Sequence, residues 1–81
     1  MAIEDQFKKV LESFPEVIDY HDFRVVAASR EKIVLVADID VKEDVPESEF
    51  ENIAKDLEAK AKDEIKNIEY CQFYITPKYA Y

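Results

Sequence analysis

The spacing of hydrophobic and polar positions changes along the chain, and each change predicts a new element. Apolar residues between positions 3 and 14 recur at helical spacing, which predicts a first helix over about residues 2–14 that stops at Pro15. Two runs rich in β-branched and aromatic residues, 20–28 and 32–41, then flank a polar triplet. This arrangement predicts a β-hairpin of two strands.

The second half of the chain adds another helix. An apolar stripe at helical spacing runs from Phe50 to Ile65 and predicts a helix over about residues 47–66. Ser48 and Glu51 have the spacing of a capping box at its start. The charged residues between the apolar ones predict a solvated outer face.

The last run, residues 68–76, alternates again and predicts a third strand that Pro77 ends before a short tail, residues 78–81. The element order is therefore α-β-β-α-β in a single domain, residues 1–81. A right-handed crossover places the third strand parallel to the second. We expect an α+β fold with a three-stranded mixed sheet and both helices on one face.

Alternation gives this sheet two faces of different character. The face expected under the helices is apolar throughout: Phe23, Val25, Ala27, Ile33, Leu35, Ala37, Ile39 and Val41. The other face is mixed: Tyr20, Asp22, Arg24, Val26, Val34, Val36, Asp38 and Asp40, with Tyr70, Gln72 and Tyr74 from the third strand. Valines and aromatics on an uncovered face are typical of partner surfaces, although ordinary surface aromatics are the alternative. We expect a homodimer with this interface: Val26, Val34, Val36, Tyr70 and Tyr74.

The amino-acid composition argues against several classes of function. The 81 residues carry a net charge of −8, which argues against binding nucleic acid or anionic lipid. Glycine is absent, so a glycine-rich phosphate loop is excluded. The single cysteine cannot form an internal disulfide, which favours a reducing compartment. No apolar run reaches the ~18 residues that span a bilayer, so direct membrane insertion is not expected.

The carboxylates at the open end of the hairpin are the best candidates for chemistry. A turn centred near Arg30 places Asp22 opposite Asp38. A change of one residue in the length of the loop places Asp22 opposite Asp40 and Arg24 opposite Asp38. Like charges that face each other destabilise a sheet, so a counter-charge is expected. Arg24, the neighbouring His21 or a bound cation could each supply it.

Catalytic signals are weak by comparison. His21 has no serine, cysteine or lysine nearby that reads as an activated nucleophile. Cys71 falls on the apolar side of the third strand and is expected to be a buried structural thiol. The sequence therefore does not predict an enzyme.

Residues 17–25 (VIDYHDFRV) resemble the V-x-x-x-H-D-L-R-V opening of the cytoplasmic C-terminal domain of cation diffusion facilitator metal transporters. The similarity continues through strand residues 33–41, through Val45 and Pro46 before the second helix, and through the ending FYITP at 73–77. The resemblance covers nearly the whole chain. It implies a ferredoxin-like cytoplasmic module that pairs with itself, is attached to a transmembrane transporter domain and binds regulatory metal at the dimer interface.

For this chain the resemblance implies weak binding of a divalent metal, zinc above others. His21 stands at the family's histidine, and Asp38 falls about where a second ligand lies on strand two. We expect the metal ligands to come from His21, Asp22, Asp38 and Asp40. The family's last strand usually ends in a His-x-acid-Pro pattern, whereas Tyr74 and Thr76 occupy those two positions here.

Two other functions remain open at this point. The second hypothesis is a metal-free ferredoxin-like module that only dimerises or docks a partner. A small enzyme of the acylphosphatase kind fits less well, because the chain lacks a phosphate-cradling loop and its arginine. The sequence is compatible with an excised transporter domain and with a free-standing relative.

Overall fold

The computed structural model of the chain describes residues 2–78 and has the expected order of elements. They are α1 (Ile3–Glu12), β1 (Val17–Ser29), β2 (Lys32–Lys42), a 3₁₀ turn (Glu47–Glu49), α2 (Phe50–Glu64) and β3 (Ile68–Lys78). Strand β2 is central: it pairs antiparallel with β1 and parallel with β3. The predicted mixed three-stranded sheet is confirmed.

Helix α1 forms where the apolar spacing predicted it. It buries Phe7 and Val10, and its first turn carries Glu4 and Asp5, whose charges suit the positive end of the helix dipole. The helix ends two residues earlier than expected. There the N–H groups of the next two residues bond carbonyls three residues back, which tightens the last turn into a 3₁₀ type.

The start of α2 differs from the prediction. A 3₁₀ turn over Glu47–Glu49 precedes the helix, and Ser48 lies inside this turn. The N-cap residue is Glu49, which makes no side-chain capping bond, so the predicted capping box does not form. The helix ends at Glu64, and Asn67 then takes a left-handed conformation with a φ of 68° that reverses the chain into β3.

Both helices pack on one face of the sheet, which we call the inner face. Side chains with no exposed surface come from both helices and from the central strand: Phe7, Leu35, Ala37, Ile39, Val41, Leu57 and Ala61. The helices do not reach the turn of the hairpin, however. Val25 points to the inner face near that turn and is still 42% exposed. The expectation that helices cover the whole apolar face is wrong at this end.

An aromatic cluster joins α1 to the sheet. The ring of Phe7 stacks on Phe23 at 4.9 Å between centroids, meets Tyr20 edge-on at 5.5 Å and lies 5.6 Å from Phe73. Such pairs add stability beyond the area that they bury. Tyr20 was expected on the opposite face, and its place in this cluster corrects that assignment.

The hydroxyl of Tyr20 makes a second link to α1. It donates a hydrogen bond of 2.7 Å to Glu4 Oε2. This bond to a carboxylate, together with burial and the negative charge of Glu4, raises the pKa of Tyr20 from 10.0 to about 12. Ring contacts and hydrogen bond together fix which way the start of β1 faces.

Strand β3 is longer than expected. It continues through Pro77 to Lys78, and Pro77 still lies beside Val41 of β2. Proline is tolerated here because β3 is an edge strand. The rest of the predicted tail, residues 79–81, lies outside the described residues. Between residues 2 and 78, no helix is both long enough and apolar enough to cross a membrane.

We predict that Phe7→Ala destabilises the fold by about 3–5 kcal/mol, because it removes a fully buried ring that contacts three other aromatic rings. Chemical denaturation monitored by circular dichroism measures this change. Ile18→Ala is the control, since Ile18 is 49% exposed and its loss should cost about 0.5 kcal/mol or less. Equal effects of the two substitutions would contradict the assignment of Phe7 to the centre of the core.

We also predict a pH-dependent effect of Tyr20→Phe. Because the folded pKa is raised, the Tyr20 hydroxyl stabilises the fold fully below pH 10.0 and loses this contribution as the pH rises to about 12. The variant should be less stable by about 1 kcal/mol at neutral pH, and the difference from wild type should shrink across that window. Melting temperatures of both proteins at matched pH values test this.

Tyr70→Phe is the matched control, because it removes a hydroxyl from the exposed opposite face, where Tyr70 is 47% exposed. A gap between wild type and Tyr20→Phe that stays constant with pH would show that the bond to Glu4 does not hold in solution.

Candidate functional site

The face of the sheet away from the helices, which we call the outer face, carries four rows of side chains in register across the three strands. From the open end of the hairpin towards its turn they are Asp19–Asp40–Thr76, His21–Asp38–Tyr74, Arg24–Val36–Gln72 and Val26–Val34–Tyr70. The first two rows hold three carboxylates and a histidine. The last row is apolar apart from the tyrosine hydroxyl, so possible ligands and apolar surface occupy opposite ends of the face.

A β-bulge in β1 sets this arrangement. Arg24 lies opposite Val36, and the next paired residue towards the N-terminus is His21, opposite Asp38. Asp22, in the bulge, has a left-handed conformation with a φ of 52°. Neither register expected from the sequence is correct at this end, because both assumed a regular strand and placed Asp22 opposite a β2 aspartate.

His21 and Asp40 are brought into direct contact. His21 Nε2 lies 2.6 Å from Asp40 Oδ2, across a diagonal of the sheet. The His21 side chain is 51% exposed and that of Asp40 only 13% exposed, so the carboxylate is held and the ring is accessible. This pair offers one nitrogen and one oxygen donor, a combination that zinc-type ions accept.

The other two predicted ligands lie nearby without joining this pair. Asp38 is opposite His21, and both Asp38 and Asp22 line a depression of about 510 Å³ together with Arg24 and Tyr74. Within residues 2–78, no group of three or more histidine, cysteine or acidic side chains could hold a metal ion. Of the four expected ligands, only His21 and Asp40 are in direct contact within one chain.

The predicted interface residues differ in how much surface they offer. Val26 and Tyr70 are each 47% exposed and Tyr74 is 50% exposed, while Val36 is half-buried. Val34 is only 6% exposed, because it lies on the central strand between Val26 and Tyr70. The expectation that Val34 is uncovered is therefore wrong, and its side chain supports those of Val26 and Tyr70.

The two positions where the family's ligands usually lie on the last strand are both on the outer face. Tyr74 lies beside Asp38, and Thr76 lies beside Asp40. The Tyr74 hydroxyl accepts a hydrogen bond of 2.7 Å from Gln72 Nε2. Neutral hydroxyl groups therefore stand next to the carboxylates where stronger donors would complete a site.

Cys71 lies on the inner side of β3, as predicted. It pairs with Leu35, and its backbone N–H donates a 2.6 Å hydrogen bond to Glu58 Oε2 of α2. Burial, assisted by the charge of Glu58, raises the pKa of the Cys71 thiol from 9.0 to about 12. A thiol with this pKa stays protonated near neutral pH, which makes it a poor nucleophile and a poor metal ligand.

Sequence reasoning missed one member of the acidic end. Asp19 lies opposite Asp40 on the outer face, and its Oδ1 accepts a hydrogen bond of 2.7 Å from the backbone N–H of Tyr20. The bulge places Asp19 and His21 on this face, whereas regular alternation back from Arg24 points to Tyr20 and Asp22 instead. A useful signal in the sequence was the pair of aromatics, Tyr20 and Phe23, three residues apart.

The family model described as "Cation efflux protein, cytoplasmic domain" matches residues 2–76. A search of curated protein sequences gives no match.

Solved structures share the fold. The metal-bound C-terminal domain of the CzcD transporter from Thermotoga maritima superposes with a TM-score of 0.83 at 21% identity, over 93% of this chain and 86% of that one. The cytosolic domain of a cation diffusion facilitator family protein gives 0.80 at 20% identity, over 93% and 88%. A variant of the MamM C-terminal domain gives 0.80 at 16% identity, over 95% of each chain.

The family match covers nearly all of the chain, and the solved cytosolic domains have the same order of helices and strands around the same ferredoxin-like sheet. These neighbours are domains of transporters and not enzymes, in agreement with the absence of an activated nucleophile in the sequence. As the motif around His21 implied, the chain belongs to the family of cytoplasmic domains of cation efflux proteins, the cation diffusion facilitators.

Proposed function

We propose that this domain pairs with a second copy of itself through the outer face and binds a divalent cation, zinc above others, at the acidic end of that face. In this way it reports cytoplasmic metal to a transporter. Family membership places the domain on the cytoplasmic side of the membrane. The observation that carries the proposal is the contact between His21 and Asp40, which joins a nitrogen and an oxygen donor on an otherwise uncovered face.

The charge of this end favours a cation. Asp19, Asp38 and Asp40 lie in two adjacent rows, and His21 is the only imidazole in the chain. Like charges at this spacing repel, and a divalent ion between them would remove the repulsion. A zinc-type ion would take the place of the proton between His21 and Asp40 and draw the carboxylates together.

One chain supplies only part of a coordination shell. Zinc usually takes four ligands, and the described residues bring no more than two donors into contact. Water or a second subunit would complete the shell, and Asp38, which lies opposite His21, is a further carboxylate on the same face. The proposed site is therefore open and of low affinity. The neighbouring CzcD domain is described as metal-bound and one MamM variant as a copper form, which supports a metal without naming zinc.

The other end of the face supports self-association. Val26 and Tyr70 are each 47% exposed on either side of the buried Val34, and Tyr74, in the row of His21 and Asp38, is 50% exposed. Burying such surface gains roughly 25 cal/mol per Å² before the costs of association are subtracted. A two-fold pair would use the same surface on both subunits.

The two halves of the proposal combine into a mechanism of regulation. Pairing through one face brings the acidic ends of two subunits near each other, where their charges oppose a close approach. A cation at His21 and Asp40 reduces this opposition and favours the closed pair over an open one. The change in distance between the subunits is the signal that the attached transporter domain would receive.

We predict that wild-type protein binds zinc weakly at about pH 7.5 and that His21→Ala and Asp40→Asn each weaken binding by ~10-fold or more, because each removes one donor. Isothermal calorimetry measures the affinities. Glu51→Gln is the control, since Glu51 pairs with Lys55 on the exposed side of α2 and its loss should leave the affinity unchanged. Because metal competes with protons for the imidazole, binding should also weaken as the pH is lowered.

If zinc gives no heat of binding and no rise in the melting temperature of the wild-type protein, the metal-sensing function is refuted. The metal-free interaction module would then be the better explanation. Unchanged binding by both variants would retain the metal and refute the site.

We predict a dimer by light scattering at micromolar concentration and a monomer for Val26→Glu, because a charge at that position would be buried in the pair. Val25→Glu is a closely matched control. Val25 is 42% exposed and Val26 is 47% exposed, but the two neighbours point to opposite faces of the sheet. Dissociation caused by Val25→Glu and not by Val26→Glu would place the interface on the inner side of the hairpin. A wild-type monomer would refute pairing.

A further inference from the structure

Two aromatic residues of β1 impose a geometric problem on the strand. Tyr20 and Phe23 are three residues apart, and residues at that spacing point to opposite faces of a regular strand. Both nevertheless pack on Phe7 of the inner face, with ring centroids 5.5 Å and 4.9 Å from it. Tyr20 is tied further by its hydrogen bond to Glu4.

The bulge solves this problem by adding one residue between them. The pairing of Arg24 with Val36 and that of His21 with Asp38 differ by one residue in phase, and the extra residue lies in this interval. A bulge changes the direction of side chains locally, and here His21 and Asp22 are both turned away from the core. His21 thereby reaches Asp40, while Asp22 lines the depression beside Asp38.

The conformation of Asp22 is the feature that makes the bulge possible. Its φ of 52° lies in the left-handed region, which glycine, asparagine and aspartate enter more readily than other residues and β-branched residues avoid. The chain contains no glycine, and at this position an aspartate adopts the left-handed conformation.

We infer that Asp22 is a positioning residue for the cation site: its left-handed backbone, and not its carboxylate, holds His21 on the outer face against Asp40. This inference rests on the proposed function for the meaning of the site, but it concerns the apo protein and can be tested without metal. It also assigns Asp22 a different role from that of a direct ligand.

The substitutions that separate the two roles differ in backbone preference. Asp22→Gly and Asp22→Asn both remove the carboxylate and keep easy access to the left-handed region. Asp22→Val removes the carboxylate and disfavours that region. Asn67→Val is the matched control, because Asn67 has a φ of 68° at the α2–β3 turn, away from the outer-face rows.

Nuclear magnetic resonance gives the first readout. His21 is the only histidine in the chain, so every histidine ring signal comes from it. In the absence of metal, Asp22→Gly and Asp22→Asn should keep the wild-type ring environment and the nuclear Overhauser contacts between Tyr20 and Phe7. Asp22→Val should change the His21 ring signals. Asn67→Val should lower the melting temperature to a similar extent and leave the His21 ring signals unchanged.

Zinc affinity gives the second readout. Asp22→Gly and Asp22→Asn should stay within ~3-fold of wild type, while Asp22→Val should lose ~10-fold or more, as expected when a residue that orients a ligand is disturbed. Loss of affinity in all three variants with normal ring signals would make Asp22 a ligand and overturn the inference. An unchanged His21 environment in Asp22→Val would also overturn it.

Two further outcomes remain decisive. If wild-type protein binds no zinc, the proposed function fails, and the ring signals of the four variants still decide the role of Asp22. If Asp22→Val does not fold, Asp22→Ala replaces it, since alanine also lacks ready access to the left-handed region but avoids the branched side chain.

Discussion

The packing of Tyr20 and Phe23 against one ring, Phe7, is the constraint on which the arrangement of the outer face depends. Two residues at odd spacing can share a face only if the strand carries an extra residue between them. That residue distorts β1, turns His21 outward and brings it to Asp40. A requirement of the core thus determines the chemistry on the opposite side of the sheet, which explains why the candidate site cannot be understood from the surface residues alone.

The order of elements and the division of the sheet into two faces could be predicted from the sequence, because both depend on spacing that extends over many residues. The alternation in β2 holds without interruption from Leu35 to Val41, and every second residue there is fully buried. The same rule fails in β1 between Tyr20 and Arg24. An extra residue there reverses the alternation as far as Asp19, where the register shifts again. Contacts with α1 decide where the extra residue lies.

The candidate site shows the same limit. The sequence indicates His21 through its proximity to the aspartates and through the family motif, whereas regular alternation does not place it on the outer face. The contact between His21 and Asp40 is a consequence of the bulged register. Val34 is buried because it has neighbours on both adjacent strands. These facts depend on pairing across strands. A sequence that lacks strong turn signals, as expected for a chain without glycine, specifies that pairing only weakly.

The layout of the outer face connects pairing and cation binding through a single balance of forces. In the proposed pair, the exposed Val26 and Tyr70 would favour association whatever the ionic conditions, since burial of apolar surface does not depend on charge. The rows that contain Asp38 and Asp40 oppose it to a degree that depends on protons, salt and cations. Where the two contributions are of similar size in the proposed pair, a bound cation decides which of them prevails. A weak cation site is then sufficient to shift the balance, whereas a tight site would hold the pair closed at all times and report nothing.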